Sequence, residues 1–240
     1  MSSQTRNIEK NKTVLITGAS GKIGLKLVKI FSDLGFDVIA HYNTNEDISV
    51  RAGLKPVPTF TNRITAIKAN FPAQLPEIYE IIDKHKENLC CLVNCAAIFE
   101  KGNLKDTDNL QKTMQINGFT PLILSQKYAE IVKKGNIINI LDGNIYRFNE
   151  NYQNYRVSKR FLEETTKESA LIFAPQIRVN AVAFGMLEEK ANPSNTVAKN
   201  KEVLKNEISD KNISRSIEFL LFCENLTGQI IYLDNGVHLV

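Results

Sequence analysis

The sequence predicts an α/β domain built on a doubly wound, parallel sheet of about seven strands. Three observations lead there. Short apolar runs alternate with longer amphipathic stretches along the chain, the pattern of strand–helix–strand units. One run, "LCCLVNCAA" (89–97), is apolar almost throughout, as a strand buried on both faces should be. A glycine-rich turn, "TGASGKIG" (17–24), joins the first apolar run to the first amphipathic stretch. With 240 residues the chain has the length of one large domain, expected to span 1–240.

Taken in order, "TVLITG" (13–18) reads as the first strand and "IGLKLVKIFSDLG" (23–35) as a helix stopped by Gly35. "DVIAHY" (37–42) and "ITAIKA" (64–69) are the second and third strands. A helix follows from about Pro76, and 89–97 is the fourth strand. A long helix is expected from Asn109 to Lys133, then a fifth strand "NIINIL" (136–141) and a helix from Tyr152 to Phe173. "IRVNAV" (177–182) is the sixth strand, a helix precedes Glu224, and "GQIIYLD" (228–234) is the seventh. Segments 43–62 and 186–200, rich in Asn, Pro and Ser, read as loops, the second as a lid over the strand ends. Residues 1–12 are polar and expected to be flexible.

Composition narrows the function. Charged residues make up 23% and the net charge is +4, with no basic block interleaved with aromatics, so nucleic acid is not an expected partner. No run of 18 apolar residues is present, and no signal-like core opens the chain, so a soluble cytoplasmic protein without membrane contact is expected. Cys90, Cys91 and Cys95 lie in or beside an apolar run, as reduced buried thiols would. No paired Cys/His spacing suggests a metal.

The turn at 17–24 carries the first chemistry. Gly18, Gly21 and Gly24 can supply a tight turn, close approach of a ligand and helix packing, so that the helix N-terminus meets a pyrophosphate. This is a Rossmann-type dinucleotide site. The second strand ends in His41-Tyr42-Asn43-Thr44, with no carboxylate to bind a ribose 2′-hydroxyl or repel a 2′-phosphate. Lys22 adds positive charge. The expected cofactor is NADPH/NADP rather than NADH.

Tyr155 and Lys159 lie four apart at the start of a predicted helix, so both side chains can point at one site. A nearby ammonium favours phenolate and is expected to lower the tyrosine pKa from about 10, making it a usable proton donor. Asp142 stands thirteen residues before Tyr155. It either joins these two or merely opens a turn at Gly143.

Together these segments resemble the short-chain dehydrogenase/reductase family from about Thr13 to Leu239. The matching parts are the glycine loop, "NCAA" (94–97), Asn117 in "MQING", Tyr155 with Lys159, "IRVNAVAFG" (177–185) and "LTGQIIYLDNG" (226–236). The resemblance implies that Tyr155 protonates the substrate, that Lys159 binds the nicotinamide ribose and tunes the tyrosine, and that Asn117 holds a relay water. It implies a cofactor site on Gly18, Ser20, Gly21, Lys22, Ile23 and Gly24, continued by His41, Tyr42, Asn43 and Thr44. Asn70, where the family has an acidic adenine contact, together with Asn94, Ala96, Lys159 and Gly185, completes that site. Asn94 is also implied to support the central sheet.

Most members carry Ser where Asp142 stands; a carboxylate there is similar to the pteridine reductases and the related dihydromonapterin reductases. Lys22, the His-Tyr pair at 41–42 and Phe99 in "NCAAIF" agree with that branch. The resemblance implies a substrate site on Phe99, Asp142 and Tyr155, with Phe99 stacked on a pterin and Asp142 acting with Tyr155 to reduce a C=N bond. The expected activity is NADPH-dependent reduction of a dihydropterin or dihydrofolate-like substrate. A 3-oxoacyl-carrier-protein or other carbonyl reductase is the alternative, opposed by Asp142. An idle dinucleotide-binding protein is a second, opposed by the presence of Asn117, Tyr155 and Lys159 together. The family likeness also implies a homo-oligomer, tetramer or dimer, joined through the 109–133 and 152–173 helices.

Overall fold

The structure, a computed structural model, describes residues 12–44, 64–187 and 203–240. The expected flexible start and most of the two expected loops, including nearly all of the lid, lie outside the described residues.

Seven strands form one parallel sheet: β1 (Thr13–Ile16), β2 (Asp37–Tyr42), β3 (Ile64–Lys68), β4 (Leu89–Asn94), β5 (Gly135–Asp142), β6 (Ile177–Phe184) and β7 (Ile230–Leu233). Their order in space is β3-β2-β1-β4-β5-β6-β7. The chain therefore builds outward from β1 in one direction, returns, and builds outward in the other. Between β1 and β4 the loops leaving the strand ends diverge, and that crevice is where an open α/β sheet binds its ligand.

Six α-helices are described: α1 (Lys22–Asp33), α2 (Leu75–His85), α3 (Thr107–Met114), α4 (Thr120–Ile131), α5 (Gln153–Ile172) and α6 (Asp210–Phe222). The period of two along each strand assigns side chains to alternate faces. Val14 and Ile16 of β1 pack in a cluster with Leu27 and Phe31 of α1 and Ile217 and Leu220 of α6. Leu15, between them, belongs to a separate cluster with Ile78 and Ile82 of α2 and Leu124 and Tyr128 of α4. Both faces of β1 are thus covered, which explains its unbroken apolar sequence. Each fully buried Leu, Ile or Phe contributes about 1.5–3 kcal/mol.

The expected helix from Asn109 to Lys133 is not one regular helix. Gln115–Phe119 forms a π-helical turn between α3 and α4. Pro121 explains the break: it has no N–H to give the carbonyl of Asn117 four residues earlier, and Gly118 adds a weak helix former. The sixth strand runs two residues beyond the expected Val182, because Ala183 and Phe184 pair with Tyr232 and Leu233 of β7. The fourth strand stops at Asn94, not Ala97, since the chain turns there under Thr17.

A polar ladder crosses the otherwise apolar core. Asn94 and Asn139 are register partners on β4 and β5. Asn94 Nδ2 donates to Asn139 Oδ1 at 2.8 Å and to Ser125 Oγ of α4 at 3.0 Å. Asn139 Nδ2 donates to Thr166 Oγ1 of α5 at 2.8 Å. The ladder fixes the registry of both helices on the sheet, and one of them carries the site residues. Among the described residues no helix is long and apolar enough to cross a membrane.

Removing one rung should be costly, because its buried partners lose their hydrogen bonds. Asn94→Ala is expected to lower unfolding free energy by about 1–3 kcal/mol in urea denaturation. A loss below about 0.5 kcal/mol would show that the ladder does not hold the helices.

Candidate active site

The cleft at the β1–β4 crevice has a volume of about 860 Å³. Its floor is set by Thr17, whose hydroxyl accepts the N–H groups of Cys95 and Ala96 at 3.0 and 3.1 Å and donates to Val93 O. The ends of β1 and β4 are thereby laced together. Gly18 has φ +66°, and a Cβ there would lie 2.6 Å from Ala96 Cα, so no other residue suits the turn. A Cβ on Gly24 would lie 2.2 Å from Gly18 O, which lets α1 begin directly against the turn. Gly21 caps α1 and supplies no side-chain hydrogen bond, so the first N–H groups of this helix remain donors for an anion. Ser20, Gly21, Lys22 and Ile23 line the cleft with them.

His41 has a role the sequence reading did not assign. Its Nδ1 accepts the N–H of Gly18 at 3.2 Å, so its Nε2 must carry the proton donated to Ala69 O at 2.9 Å. The ring stacks on Phe71 at 4.1 Å. Burial holds its pKa below the ordinary histidine value, partly offset by the bond to Ala69. His41 is a neutral brace of the glycine turn whose two ring nitrogens are already engaged. Asn43, Thr44 and Asn70 line the cleft beyond it, whereas Tyr42 packs in the core on the α1 side.

The π turn controls the opposite wall. Asn117 is fully buried; its Oδ1 accepts from Ile98 N and its Nδ2 donates to Ile98 O, both at 2.9 Å, and also to Ser158 Oγ at 3.1 Å. That pair of hydrogen bonds to the main chain of one residue fixes the loop carrying Phe99. The Phe99 ring is 61% exposed, stacked on Tyr152 at 4.4 Å and meeting Tyr155 edge-on at 4.7 Å. Tyr152 was not singled out from sequence; the repeat of tyrosine three residues apart in "YQNY" was the available signal.

Asp142 both opens a turn and meets the tyrosine. It ends β5, and its two oxygens divide the tasks: Oδ1 accepts from Asn144 N at 2.7 Å and Oδ2 accepts from Tyr155 Oη at 3.3 Å. The neighbouring Gly143 is required, since a Cβ there would lie 2.8 Å from Asp234. Lys159, on the same face of α5 as Tyr155, is buried, with Nζ donating to Ile140 O at 2.8 Å and lying 6.0 Å from the Tyr155 ring. The expected lowering of the tyrosine pKa is not what this arrangement produces. Burial pushes Tyr155 well up, and the charge of Asp142 and its hydrogen bond push the same way. Lys159 is lowered by its own burial, with Cys95 and Asp142 opposing, and makes no hydrogen bond to the phenol. The Cys95 thiol beside it is raised to about 12 by burial, so it is inert.

The cleft therefore gathers Gly18, Ser20, Gly21, Lys22, Ile23, Gly24, His41, Asn43, Thr44, Asn70, Ala96, Phe99, Asp142, Tyr155 and Gly185 along one wall system. Asn94 and Tyr42, expected as cofactor contacts, are not part of it: Asn94 points into the polar ladder and Tyr42 into the core. Asn117 and Lys159 stand behind the wall, each holding a main-chain carbonyl of an adjoining segment. Asp234, unforeseen, underlies both Gly143 and Gly185 and accepts from His238 N at 2.7 Å and Gly236 N at 3.0 Å. No group of three His, Cys, Asp or Glu side chains placed to hold a metal occurs among the described residues.

A family model described as enoyl-(acyl carrier protein) reductase matches residues 18–238. Dihydromonapterin reductase of Enterobacter sp. (strain 638) is 27% identical over 237 residues, covering 94% of this chain and 96% of that protein. FolM alternative dihydrofolate reductase 1 from Brucella suis, solved in complex with NADP, superposes with a TM-score of 0.79 at 26% identity, covering 96% of each chain. The angucycline C-6 ketoreductase LanV with bound NADP gives 0.84 at 22% identity over 96% of this chain and 98% of its own, which shows a shared fold.

His41 makes a pH prediction. With its folded pKa below the unfolded value near 6.5, the unfolded chain binds more protons between the two, so stability falls as pH drops through that window. The stability difference between wild type and His41→Gln, measured by denaturation from pH 7.5 to 5.5, should narrow as the pH falls. A constant difference would mean His41 is not held neutral.

Proposed function

The chain belongs to the short-chain dehydrogenase/reductase family, and on that premise we propose that it is an NADPH-dependent reductase of a dihydropterin or dihydrofolate-like substrate. The observation that carries the reading is the hydrogen bond from Tyr155 to a carboxylate, Asp142, in a cleft built for a dinucleotide. The cleft suits that cofactor on its own geometry: a glycine that must be glycine at 18, an uncapped helix start at Gly21, and room for a ligand beside Asn43 and Thr44. Gly18, Ser20, Gly21, Lys22 and Ile23 would hold its phosphates, and Asn43, Thr44 and Asn70 its adenosine side. The cofactor supplies a hydride when bound. Among the described residues no carboxylate lines this end of the cleft, which favours a 2′-phosphate there.

The chain's part is to deliver a proton. Tyr155 stays protonated near neutral pH because burial and Asp142 both oppose its ionisation. A tyrosine that has given its proton to a substrate nitrogen leaves phenolate and carboxylate 3.3 Å apart, which is unfavourable. A proton must therefore enter the pair as one leaves it. Asp142 provides the entry: its carboxylate takes up a proton from solvent and passes it from Oδ2 to the phenolate oxygen as that forms. A hydroxyl at 142 would carry no charge to draw that proton in. Lys159 anchors α5 to β5 through Ile140 O and so fixes the Tyr155–Asp142 distance.

Reduction of an acyl thioester is a second reading: the matching family model is described by a reductase of acyl-carrier-protein thioesters acting at the enoyl C=C bond, and a 3-oxoacyl thioester offers the same carrier with a ketone. The deciding experiment is NADPH oxidation across dihydrobiopterin, dihydromonapterin, dihydrofolate and an acetoacetyl thioester. Turnover of the thioester alone would overturn the pterin assignment.

Two variants test the roles. Tyr155→Phe should lower turnover by about 10²–10⁴-fold with cofactor affinity nearly unchanged, the usual range for general-acid catalysis. Retention of more than roughly a tenth of the rate would remove Tyr155 as the acid. Asp142→Ser should reduce dihydropterin turnover much more than any ketone turnover, and Asp142→Asn should do the same while keeping the shape. Equal losses on both substrate classes would make Asp142 a turn residue only.

A further inference from the structure

Gly143, Gly185 and Asp234 each come first after a strand, following β5, β6 and β7 in turn. The parallel ladder runs one rung further through them: Gly143 N–H donates to Phe184 O at 2.8 Å and Gly185 N–H to Leu233 O at 3.0 Å. Asp234 therefore stands in the row next to Asp142, at the same end of the sheet. It meets the two glycines with different atoms. Its side chain packs on Gly143, where a Cβ would lie 2.8 Å from both Cβ and Oδ2 of Asp234. Its main chain packs on Gly185, where a Cβ would lie 2.7 Å from Asp234 Cα. What moves the Asp234 carboxylate thus bears on the turn after Asp142 and leaves the cofactor side at Gly185 in place.

His238 decides where that carboxylate stands. Asp234 is buried, and Oδ2, the oxygen against Gly143, accepts the His238 N–H at 2.7 Å and faces His238 Nδ1 at 2.8 Å. A carboxylate can only accept, so Nδ1 carries its proton in either charge state of the ring. Oδ1 accepts the Gly236 N–H at 3.0 Å, so both oxygens have donors. The ring is itself held, stacked on Tyr232 with centroids 4.0 Å apart. The same segment grips the Asp142 turn from its far side. Arg147 donates Nε and Nη2 to the main-chain oxygen of Val240, at 2.7 and 2.5 Å. Residues 234–240 thus hold both ends of that turn.

We propose that His238 is a positioning residue for the proton donor: through Asp234 Oδ2 it holds Gly143, and with it Asp142, at hydrogen-bonding distance from Tyr155. The inference rests on the reading of Asp142 and Tyr155 as the pair that delivers the proton. His238 does not line the cleft, so its effect passes through the end of the sheet. A buried carboxylate that loses the ring N–H must turn toward another donor, because an oxygen left short of hydrogen bonds is costly. The side chain that turns is the one on which Gly143 rests.

Two substitutions separate the two contacts of the ring. His238→Phe keeps a ring on Tyr232 and removes the donor, whereas His238→Asn returns an N–H near the place of Nδ1 without the stack. With NADPH and dihydromonapterin, His238→Phe should lower kcat by roughly tenfold, as a small misplacement of a reacting group does, with KM and the NADPH dissociation constant within about twofold of wild type. His238→Asn should recover most of the lost kcat. In the Asp142→Asn background His238→Phe should cost less than about a further twofold, because coupled residues are not additive. A loss carried by KM, no recovery in His238→Asn, or an undiminished loss in the Asp142→Asn background would overturn the proposal. A spectroscopic reading needs no turnover. In protein carrying isotope-labelled tyrosine, the Tyr155 Cζ resonance, assigned by its loss in Tyr155→Phe, should shift in His238→Phe and return in His238→Asn. A resonance unmoved by His238→Phe counts against the proposal. Absence of dihydropterin turnover in the wild type would instead remove the reading beneath it, and the resonance alone would then decide whether His238 positions the partner of Tyr155.

Discussion

Phenol and carboxylate cannot both be charged at hydrogen-bonding distance, and that constraint organises the candidate site. Tyr155 and Asp142 come from different elements, the first turn of α5 and the end of β5, and share one proton position at 3.3 Å. Much of the surrounding structure serves to keep them there. Lys159 ties α5 to the carbonyl of Ile140 on the same strand as Asp142. The Asn139–Thr166 bond ties them again further along both elements. The turn after Asp142 is held by its own Oδ1, by the Gly143 N–H on Phe184 O, and by Asp234 packed where a Gly143 side chain would stand. A shift of either element along the other would part the pair, so the polar contacts between β5 and α5 bear on the chemistry as well as on stability.

The aromatic wall is placed by a separate chain of causes that begins in the sequence. Pro121 denies a hydrogen bond to the carbonyl of Asn117, and the helix widens at Gln115–Phe119. Asn117, carried inward by that turn, grips the peptide of Ile98 from both its N–H and its carbonyl. The next residue is Phe99, and its orientation is completed by Tyr152 on one side and the edge of Tyr155. A proline four residues after an asparagine is thus converted into the plane of a ring three elements away.

These two chains of cause differ in how far they could be read from the residues alone. Strand and helix positions followed from apolar period, and Tyr155, Lys159 and Asp142 followed from spacing on elements of known type. Long-range pairings did not. That His41 would lend its ring to Gly18 depends on the end of β2 meeting the glycine turn after β1, which spacing does not encode. Asn94 and Tyr42 lie at the ends of strands beside the cleft, and only the alternation of faces decides that they turn away from it. The helix break at Gln115–Phe119 was legible in principle, since Gly118 and Pro121 stand in an otherwise helical stretch.

The behaviour of Lys159 follows from the same accounting of buried groups. An ammonium has three donors, and in a buried site each must find an acceptor or the charge becomes costly. Here the carbonyl of Ile140 takes one, and burial lowers the pKa of the amine. Hydroxyl acceptors brought to Nζ by a ligand favour the charged form and raise that pKa again. A restored ammonium then acts on the phenol from about the distance already seen, 6.0 Å to the ring, against the opposing charge of Asp142. Without such acceptors the carboxylate dominates and Tyr155 is held as a neutral donor; with them the lysine eases the release of its proton. On the proposed function, the balance between Asp142 and Lys159 would set the acidity of Tyr155, the group assigned there to protonate the substrate.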